Sequence, residues 1–206
     1  MGDSEVMEFE VYFDYLCPFV YRASVLLQNV RDSGQRPLEV TWRYFSLSQV
    51  NSKLDGWTVW DAPGTDRVKG RLAFRAAEAA RRQGGFDDFH TSLLKARHRD
   101  RLDIDELDVV EHVAVESNLD LARFRRDLAE PDILQALARD HRHAISRHGV
   151  FGTPTFVFND GSVAYIRLSE APEPADALKL FDDLVAVAAG EPRILEIKRP
   201  TRPSPD

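Results

Sequence analysis

The stretch Val11-Tyr12-Phe13-Asp14-Tyr15-Leu16-Cys17-Pro18-Phe19-Val20-Tyr21 decides the fold. Apolar residues alternate with others up to Phe13, which predicts a buried strand, and Asp14-Tyr15 predicts a turn. Pro18 suits the first turn of a helix, where its missing N–H costs nothing. The sequence therefore predicts a strand, a turn and a helix that begins at Cys17-Pro18.

Cys17 is the only cysteine among the 206 residues. The first backbone N–H groups of a helix have no intrahelical partner, and together with the helix dipole they favour an anion. A cysteine at this position is therefore a candidate nucleophile in its thiolate form. The alternative is a small buried hydrophobe without reactivity.

A second motif lies far downstream, at Gly149-Val150-Phe151-Gly152-Thr153-Pro154-Thr155-Phe156-Val157-Phe158. It reads as a glycine-bounded turn followed by a β-branched and aromatic strand. Pro154 cannot donate to the sheet, so we place it at the entrance of that strand. The Thr153–Pro154 bond is either the cis bond of folds that set such a proline opposite a helix-opening cysteine, or an ordinary trans bond in a turn.

Together these two motifs resemble the DsbA-like thioredoxin-fold superfamily, and most closely its FrnE and 2-hydroxychromene-2-carboxylate isomerase branch. The resemblance also covers Arg75-Ala76-Ala77-Glu78-Ala79-Ala80-Arg81, Phe86-Asp87-Asp88-Phe89-His90, and Leu119-Asp120 ahead of Phe124. Ser46-Leu47, Asn51 and the ending Leu195-Glu196-Ile197-Lys198-Arg199 are similar to actinobacterial mycothiol-dependent reductases. The resemblance implies an α/β thioredoxin-like fold with an inserted all-helical domain.

The resemblance also implies a catalytic Cys17, supported by Pro18 and Phe19, with the backbone of Thr153 ahead of a cis Pro154 pairing with an extended substrate. Relatives that exchange disulfides carry a second cysteine where this chain has Val20. A mixed disulfide on Cys17 would therefore need an external thiol to release it. The isomerase and kappa glutathione transferase relatives also lack the second cysteine, but they usually have serine where this chain has Cys17.

Composition narrows the class of protein. The chain has 43% hydrophobic and 30% charged residues, as in an ordinary globular protein, and its net charge of −7 argues against nucleic-acid binding. A lone cysteine suggests a reducing compartment, and we see neither a signal peptide nor a membrane-spanning run, so a cytoplasmic location without membrane contact is expected. We interpret His141, His143 and His148 as solvated helix residues and expect no metal.

Along the chain we predict four regions: the N-terminal half of a thioredoxin fold (1–65), an inserted helical domain (66–149), the C-terminal half of the thioredoxin fold (150–190) and a C-terminal extension (191–206). Predicted strands cover 8–13, 38–45, 155–158 and 163–166, and a loop covers 46–65. We expect Asp103 and Asp120 to cap helices, Pro131 to begin the helix that ends at His148-Gly149, and a closing helix from Pro174 to about 189.

Other candidate binding residues surround the nucleophile. Tyr12, Tyr15 and Tyr21 are candidate hydroxyl donors to the thiolate, and Asn51 lies in the long loop. Trp57 and Trp60 of that loop are either lid aromatics over a substrate or core anchors.

Three functions follow. The first is a cytosolic monothiol oxidoreductase or thiol transferase in which Cys17 attacks a disulfide or electrophile, with a low-molecular-weight thiol such as mycothiol or glutathione as co-substrate. The second is a glutathione-dependent isomerase or kappa-type transferase. The third is a non-catalytic thioredoxin-fold binding protein. A homodimer is left open.

Overall fold

The computed structural model describes residues 6–64, 67–197 and 199, and a four-stranded mixed sheet lies at its centre. The strands are β1 (Met7–Phe13), β2 (Leu38–Tyr44), β3 (Thr155–Phe158) and β4 (Val163–Tyr165), in the order β2-β1-β3-β4. β1 runs parallel to β2 and antiparallel to β3, and β3 and β4 form a hairpin around the predicted 159–162 turn. The β1–β3 pairing joins the two ends of the chain at the predicted motifs.

Helix α1 (Pro18–Asp32) connects β1 to β2, as a parallel pair requires. It packs beside the closing helix α8 (Pro174–Ala188) on one face of the sheet. Phe9 of β1 contacts Phe181 of α8, with ring centres 5.9 Å apart. Tyr12 belongs to a smaller cluster with Phe45, because alternate strand residues point to opposite faces.

Between β2 and β3 the described residues form six helices, of which all but the first fall within the predicted helical segment 66–149. They are α2 (Leu47–Val50), α3 (Arg71–Arg82), α4 (Phe86–His98), α5 (Leu107–Glu116), α6 (Leu121–Ala129) and α7 (Gln135–His148). The alanines of α3 are buried and allow its neighbours to approach closely. Among the residues that the structure describes, no helix is long and apolar enough to cross a membrane.

Three local predictions need correction. The segment 46–65 is not entirely loop, because the Ser46 hydroxyl accepts a hydrogen bond from the Gln49 N–H and caps the short helix α2. Asp103 does not cap α5, which begins after Glu106, because burial of Ile104 holds residues 103–105 in a turn. Pro131 likewise begins a turn, and α7 begins only at Gln135.

Two other features of the helical segment agree with the predictions from the sequence. The Asp120 side chain caps α6 by accepting from the Arg123 N–H at 2.9 Å. α7 ends at Gly149, whose left-handed backbone favours glycine. In contrast, His141 is not solvated: it is buried and stacks on Phe45, with ring centres 4.5 Å apart.

Gly70 permits a close approach next to Cys17. It has a φ of 77°, and a Cβ atom there would lie 3.0 Å from the Cγ atom of Leu16. Gly84 has the same φ with open space around it. We expect Gly84→Ala to cost about 1 kcal/mol of unfolding free energy for its backbone alone. Gly70→Ala should cost about 1–2 kcal/mol more because Leu16 must move. Urea unfolding of both variants measures the difference, and equal losses would contradict the tight contact.

Candidate active site

Cys17 sits at the N-terminus of α1, where it occupies the N-cap position in an extended conformation (φ −86°, ψ 115°). Its Sγ atom does not cap the helix. Instead, the thiol donates to the carbonyl oxygen of Thr153 at 3.2 Å, a contact between residues 136 apart in the chain. Only 5% of Cys17 is exposed, so the thiol is largely covered by its surroundings.

The Thr153–Pro154 peptide bond is cis, which is the arrangement that the resemblance implies. The carbonyl oxygen of Pro154 accepts a hydrogen bond from the Ile166 N–H at 3.2 Å, so the proline loop is tied to the chain leaving β4. The Thr153 hydroxyl is buried, and no hydrogen-bond partner for it exists among the described residues. A buried polar group without a partner, on the residue whose carbonyl contacts the sulfur, is a candidate partner for a ligand atom.

The residues after Cys17 take different environments. Pro18 is exposed at the first position of α1, and Phe19 is half-buried at the surface. Val20 is fully buried, and its N–H donates to the Cys17 carbonyl at 3.1 Å. The side chain at position 20 therefore contributes to the core and brings no second thiol to the site.

Asp14 supports this turn from within, a role that we did not predict from the sequence. Its Oδ1 atom accepts from the Leu16 N–H at 2.8 Å and its Oδ2 atom from the Leu47 N–H at 2.6 Å. Its own carbonyl accepts from the Cys17 N–H. Complete burial raises the pKa of Asp14 to about 6, although the two backbone donors act in the opposite direction. The only sequence signal was a carboxyl at the end of a buried strand.

The raised pKa of Asp14 predicts a pH-dependent stability. A carboxyl whose pKa is higher in the folded chain binds more protons when folded, so its contribution to the unfolding free energy falls as pH rises from about 4 to about 6. Relative to Asp14→Asn, wild type should lose up to about 3 kcal/mol of stability across that range. Urea unfolding of both proteins from pH 4 to pH 7 measures this, and a difference that does not vary with pH would contradict it.

Two of the candidate tyrosine hydroxyls bind histidines rather than the sulfur. The Tyr12 hydroxyl lies 3.0 Å from the Nδ1 atom of His143, on the far face of the sheet. The Tyr15 hydroxyl lies 3.1 Å from the Nδ1 atom of His90, inside the core. Burial raises the pKa of both tyrosines, so both stay protonated.

His90 and His98 are positioned around Tyr15, and sequence reasoning gave neither a role. His90 is enclosed by aromatic rings, with its ring centre 4.3 Å from that of Trp42. The Nε2 atom of His98 lies 2.8 Å from the Tyr15 carbonyl oxygen, which can only accept, so this nitrogen carries the proton. The ring of Tyr21, half-buried on α1, stacks on His98 with centres 5.8 Å apart.

None of the three loop candidates forms a hydrogen bond with the sulfur among the described residues. Asn51 is exposed and its amide donates to the Leu47 carbonyl at 2.9 Å. Trp60 is buried and packs with the main hydrophobic cluster, whereas Trp57 is half-buried against it. Trp60 therefore has the environment of a core anchor, which is one of the two roles predicted for these tryptophans. No cluster of three metal-ligating side chains occurs among the described residues.

A strand, a turn and a helix that begins after a cysteine, together with a cis-proline loop that contacts this cysteine, define a thioredoxin-fold protein. The family comparison specifies the class further: residues 8–181 match the model for the DSBA-like thioredoxin domain. The chain belongs to this family.

Known proteins with the same architecture vary in chemistry. An uncharacterised protein of Mycobacterium tuberculosis is 26% identical over 95% of this chain and 83% of its own. The cytosolic disulfide reductase DsbM of Pseudomonas aeruginosa, solved with GSH, is similar in structure (TM-score 0.59, 18% identity, 88% of this chain and 100% of that one). So is a 2-hydroxychromene-2-carboxylate isomerase (TM-score 0.61, 15% identity, 92% and 100%).

Proposed function

We propose that this protein is a monothiol oxidoreductase of the DsbA-like family, with Cys17 as its nucleophile and a low-molecular-weight thiol as its co-substrate. The observation that carries the proposal is the 3.2 Å contact between the Cys17 Sγ atom and the Thr153 carbonyl, next to the cis bond to Pro154. Thiol–disulfide exchange needs backbone groups beside the sulfur that can align a substrate, and this loop supplies them.

The reaction has two exchanges. Cys17, deprotonated, attacks one sulfur of a disulfide, forms a mixed disulfide and releases the other half as a thiolate. A small-molecule thiolate then attacks the mixed disulfide, restores Cys17 and leaves a new disulfide in solution. The two exchanges consume one external thiol and leave Cys17 unchanged. Complete reduction of the substrate disulfide needs a second external thiol, which reduces the new mixed disulfide by the same type of exchange. Val20 makes the external thiol necessary, because position 20 offers no internal one.

The loop around Thr153 supports substrate alignment. When Cys17 loses its proton, the Thr153 carbonyl loses its donor, and an N–H group of an extended substrate can replace it. The buried Thr153 hydroxyl, unpaired among the described residues, is a further group that a substrate can satisfy. The thiol is glutathione or mycothiol in this proposal; glutathione is supported by the GSH bound in the DsbM structure.

A cytoplasmic location belongs to the same proposal. A single cysteine suits a reducing compartment, and the similar DsbM is described as cytosolic. The acidic net charge supports small-molecule rather than nucleic-acid partners.

A second candidate is a thiol-dependent isomerase or transferase, in which Cys17 holds the sulfur of a thiol cofactor without forming a bond to it. Two observations favour it: Val20 replaces the second cysteine, and the fold matches the chromene-carboxylate isomerase. A third candidate is a non-catalytic binding protein, which the absence of a second cysteine also favours.

Trapping distinguishes the candidates. After incubation with 2-hydroxyethyl disulfide or oxidised glutathione, we expect intact-mass spectrometry to show one adduct, located on Cys17, that persists until an external thiol is added. Turnover of a chromene carboxylate without any adduct would support the isomerase instead. No adduct and no thiol-dependent turnover on either substrate would support the binding protein.

A further inference from the structure

The guanidinium groups of two arginines lie over the ring of Phe19, which is two residues beyond Cys17 in the chain. The guanidinium carbon of Arg167 is 3.9 Å from the ring centre, and that of Arg22 is 5.1 Å from it. Both distances end at the same ring centre, so the two guanidinium carbons are no more than 9.0 Å apart. Two positive groups within this distance make the surroundings of Phe19 favourable for an anion.

Both arginines belong to segments that form the candidate site. Arg22 lies on α1, one turn beyond Phe19, and its Nη1 atom donates to the Leu168 carbonyl at 2.8 Å. Arg167 directly follows Ile166, whose N–H binds the Pro154 carbonyl. One cation is thus fixed to the helix that carries Cys17 and the other to the chain that pairs with the proline loop.

The donors of Arg167 are available to a ligand. Arg167 is exposed, and neither an ion pair nor a hydrogen bond joins its side chain to any residue that the structure describes. Many other arginines are neutralised locally, such as Arg125 by Glu111 and Arg43 by Glu10. Arg167 is not neutralised in this way, although the net charge of the chain is −7.

Further positive charge acts on His98. Burial lowers the pKa of His98, and the charges of Arg97, Arg101 and Arg22 lower it further. His98 contacts the Tyr15 carbonyl and the ring of Tyr21, two positions before and four positions after Cys17. This side of the candidate site therefore carries positive groups although the molecule as a whole is negative.

We infer that Arg167 and Arg22 bind a carboxylate of the thiol co-substrate or of the disulfide that reacts with Cys17. This inference rests on the proposed function for the identity of the reaction, and it adds the charge class of the substrate. A guanidinium group forms paired hydrogen bonds with a carboxylate, and stacking on Phe19 holds its plane in place. The same positive groups draw anionic molecules toward the sulfur and accelerate their encounter.

Binding of a non-reactive anion tests the site without any chemistry. S-methylglutathione carries the carboxylates of a peptide thiol but cannot exchange, and calorimetry gives its Kd. We expect Arg167→Ala to weaken binding about tenfold or more and Arg167→Lys to retain part of the affinity. Arg126→Ala, which removes an exposed arginine on α6, is the matched control and should leave the Kd unchanged.

Reaction rates with two disulfides test the same site at the sulfur. The rate constant of Cys17 with the dianionic 5,5′-dithiobis(2-nitrobenzoate) is compared with that for the neutral 2,2′-dithiodipyridine. In wild type we expect the anion to be favoured at low salt and the preference to shrink with ionic strength. Arg167→Ala should lower the ratio of the two rate constants about tenfold, with little change for the neutral reagent.

The outcomes separate the two proposals. If Cys17 reacts with neither disulfide, the oxidoreductase proposal fails, and the calorimetry still decides whether the arginines bind carboxylates. If the neutral disulfide reacts but Arg167→Ala changes neither the Kd nor the rate ratio, the carboxylate site is refuted and the oxidoreductase proposal stands. A wild type that neither binds S-methylglutathione nor prefers the anionic disulfide also refutes the site.

Discussion

Cys17→Ser is expected to reduce thiol-dependent turnover of 2-hydroxyethyl disulfide by about 10³-fold or more, to the rate of uncatalysed exchange. A hydroxyl is a far weaker nucleophile than a thiolate and forms no mixed disulfide. It can still donate to the Thr153 carbonyl, as the thiol does. The unfolding free energy should therefore change by less than about 1 kcal/mol, so the loss of activity reflects chemistry and not misfolding.

Cys17→Ala is the matched structural control for this variant. It removes the sulfur and also leaves the Thr153 carbonyl without its donor, so we expect it to be inactive and about 1 kcal/mol less stable than the serine variant. Turnover that survives in Cys17→Ser would show that the sulfur is not the attacking group. Together with isomerisation of a chromene carboxylate, it would favour the cofactor-binding alternative.

Val20→Cys is the second large effect that we expect, because it supplies the missing internal thiol. Position 20 lies on the first turn of α1, and its N–H already binds the Cys17 carbonyl. A thiol there competes with external thiols at an effective concentration in the millimolar range or above. The mixed disulfide on Cys17 should then decay without added thiol, on the order of a hundredfold faster than in wild type, and leave a disulfide between Cys17 and the introduced cysteine.

The burial of Val20 determines both the expected loss of stability in this variant and the choice of its control. Val20 is fully buried, so replacing it with a smaller side chain should lower the stability of the reduced protein by about 1 kcal/mol. Val20→Ala loses comparable volume without adding a thiol, and its adduct should persist as in wild type. Mass spectrometry over time follows both adducts. Equal lifetimes in the cysteine and alanine variants would mean that position 20 does not reach the Cys17 sulfur.

The local elements of the site could be predicted from the sequence because their signals are contiguous. Strand, turn and helix follow one another around Cys17 within a few residues, and Asn159-Asp160-Gly161-Ser162 marks the hairpin that follows Pro154. The cap at Asp120 is equally local. Each of these depends on interactions over fewer than about five residues, which is the range where propensities and capping act.

The surroundings of the site could not be predicted, because they depend on tertiary contacts. His90 reaches Tyr15 across 75 residues, and Arg22 reaches Leu168 across 146. Composition and periodicity say nothing about which distant side chains meet. The same limit explains the two wrong helix starts, because burial of Ile104, and of Ile133 and Leu134 after Pro131, outweighed the local capping signal.

The distance between Cys17 and Thr153 along the chain has a consequence for biosynthesis. A ribosome that adds about 5–20 residues per second needs about 7–27 s to extend the chain by the 136 residues from Cys17 to Thr153. During that interval the nascent polypeptide has its cysteine but not the carbonyl that later accepts a hydrogen bond from the thiol. Translation in an environment that keeps thiols reduced therefore protects the cysteine of the nascent chain until β3 and β4 have been synthesised.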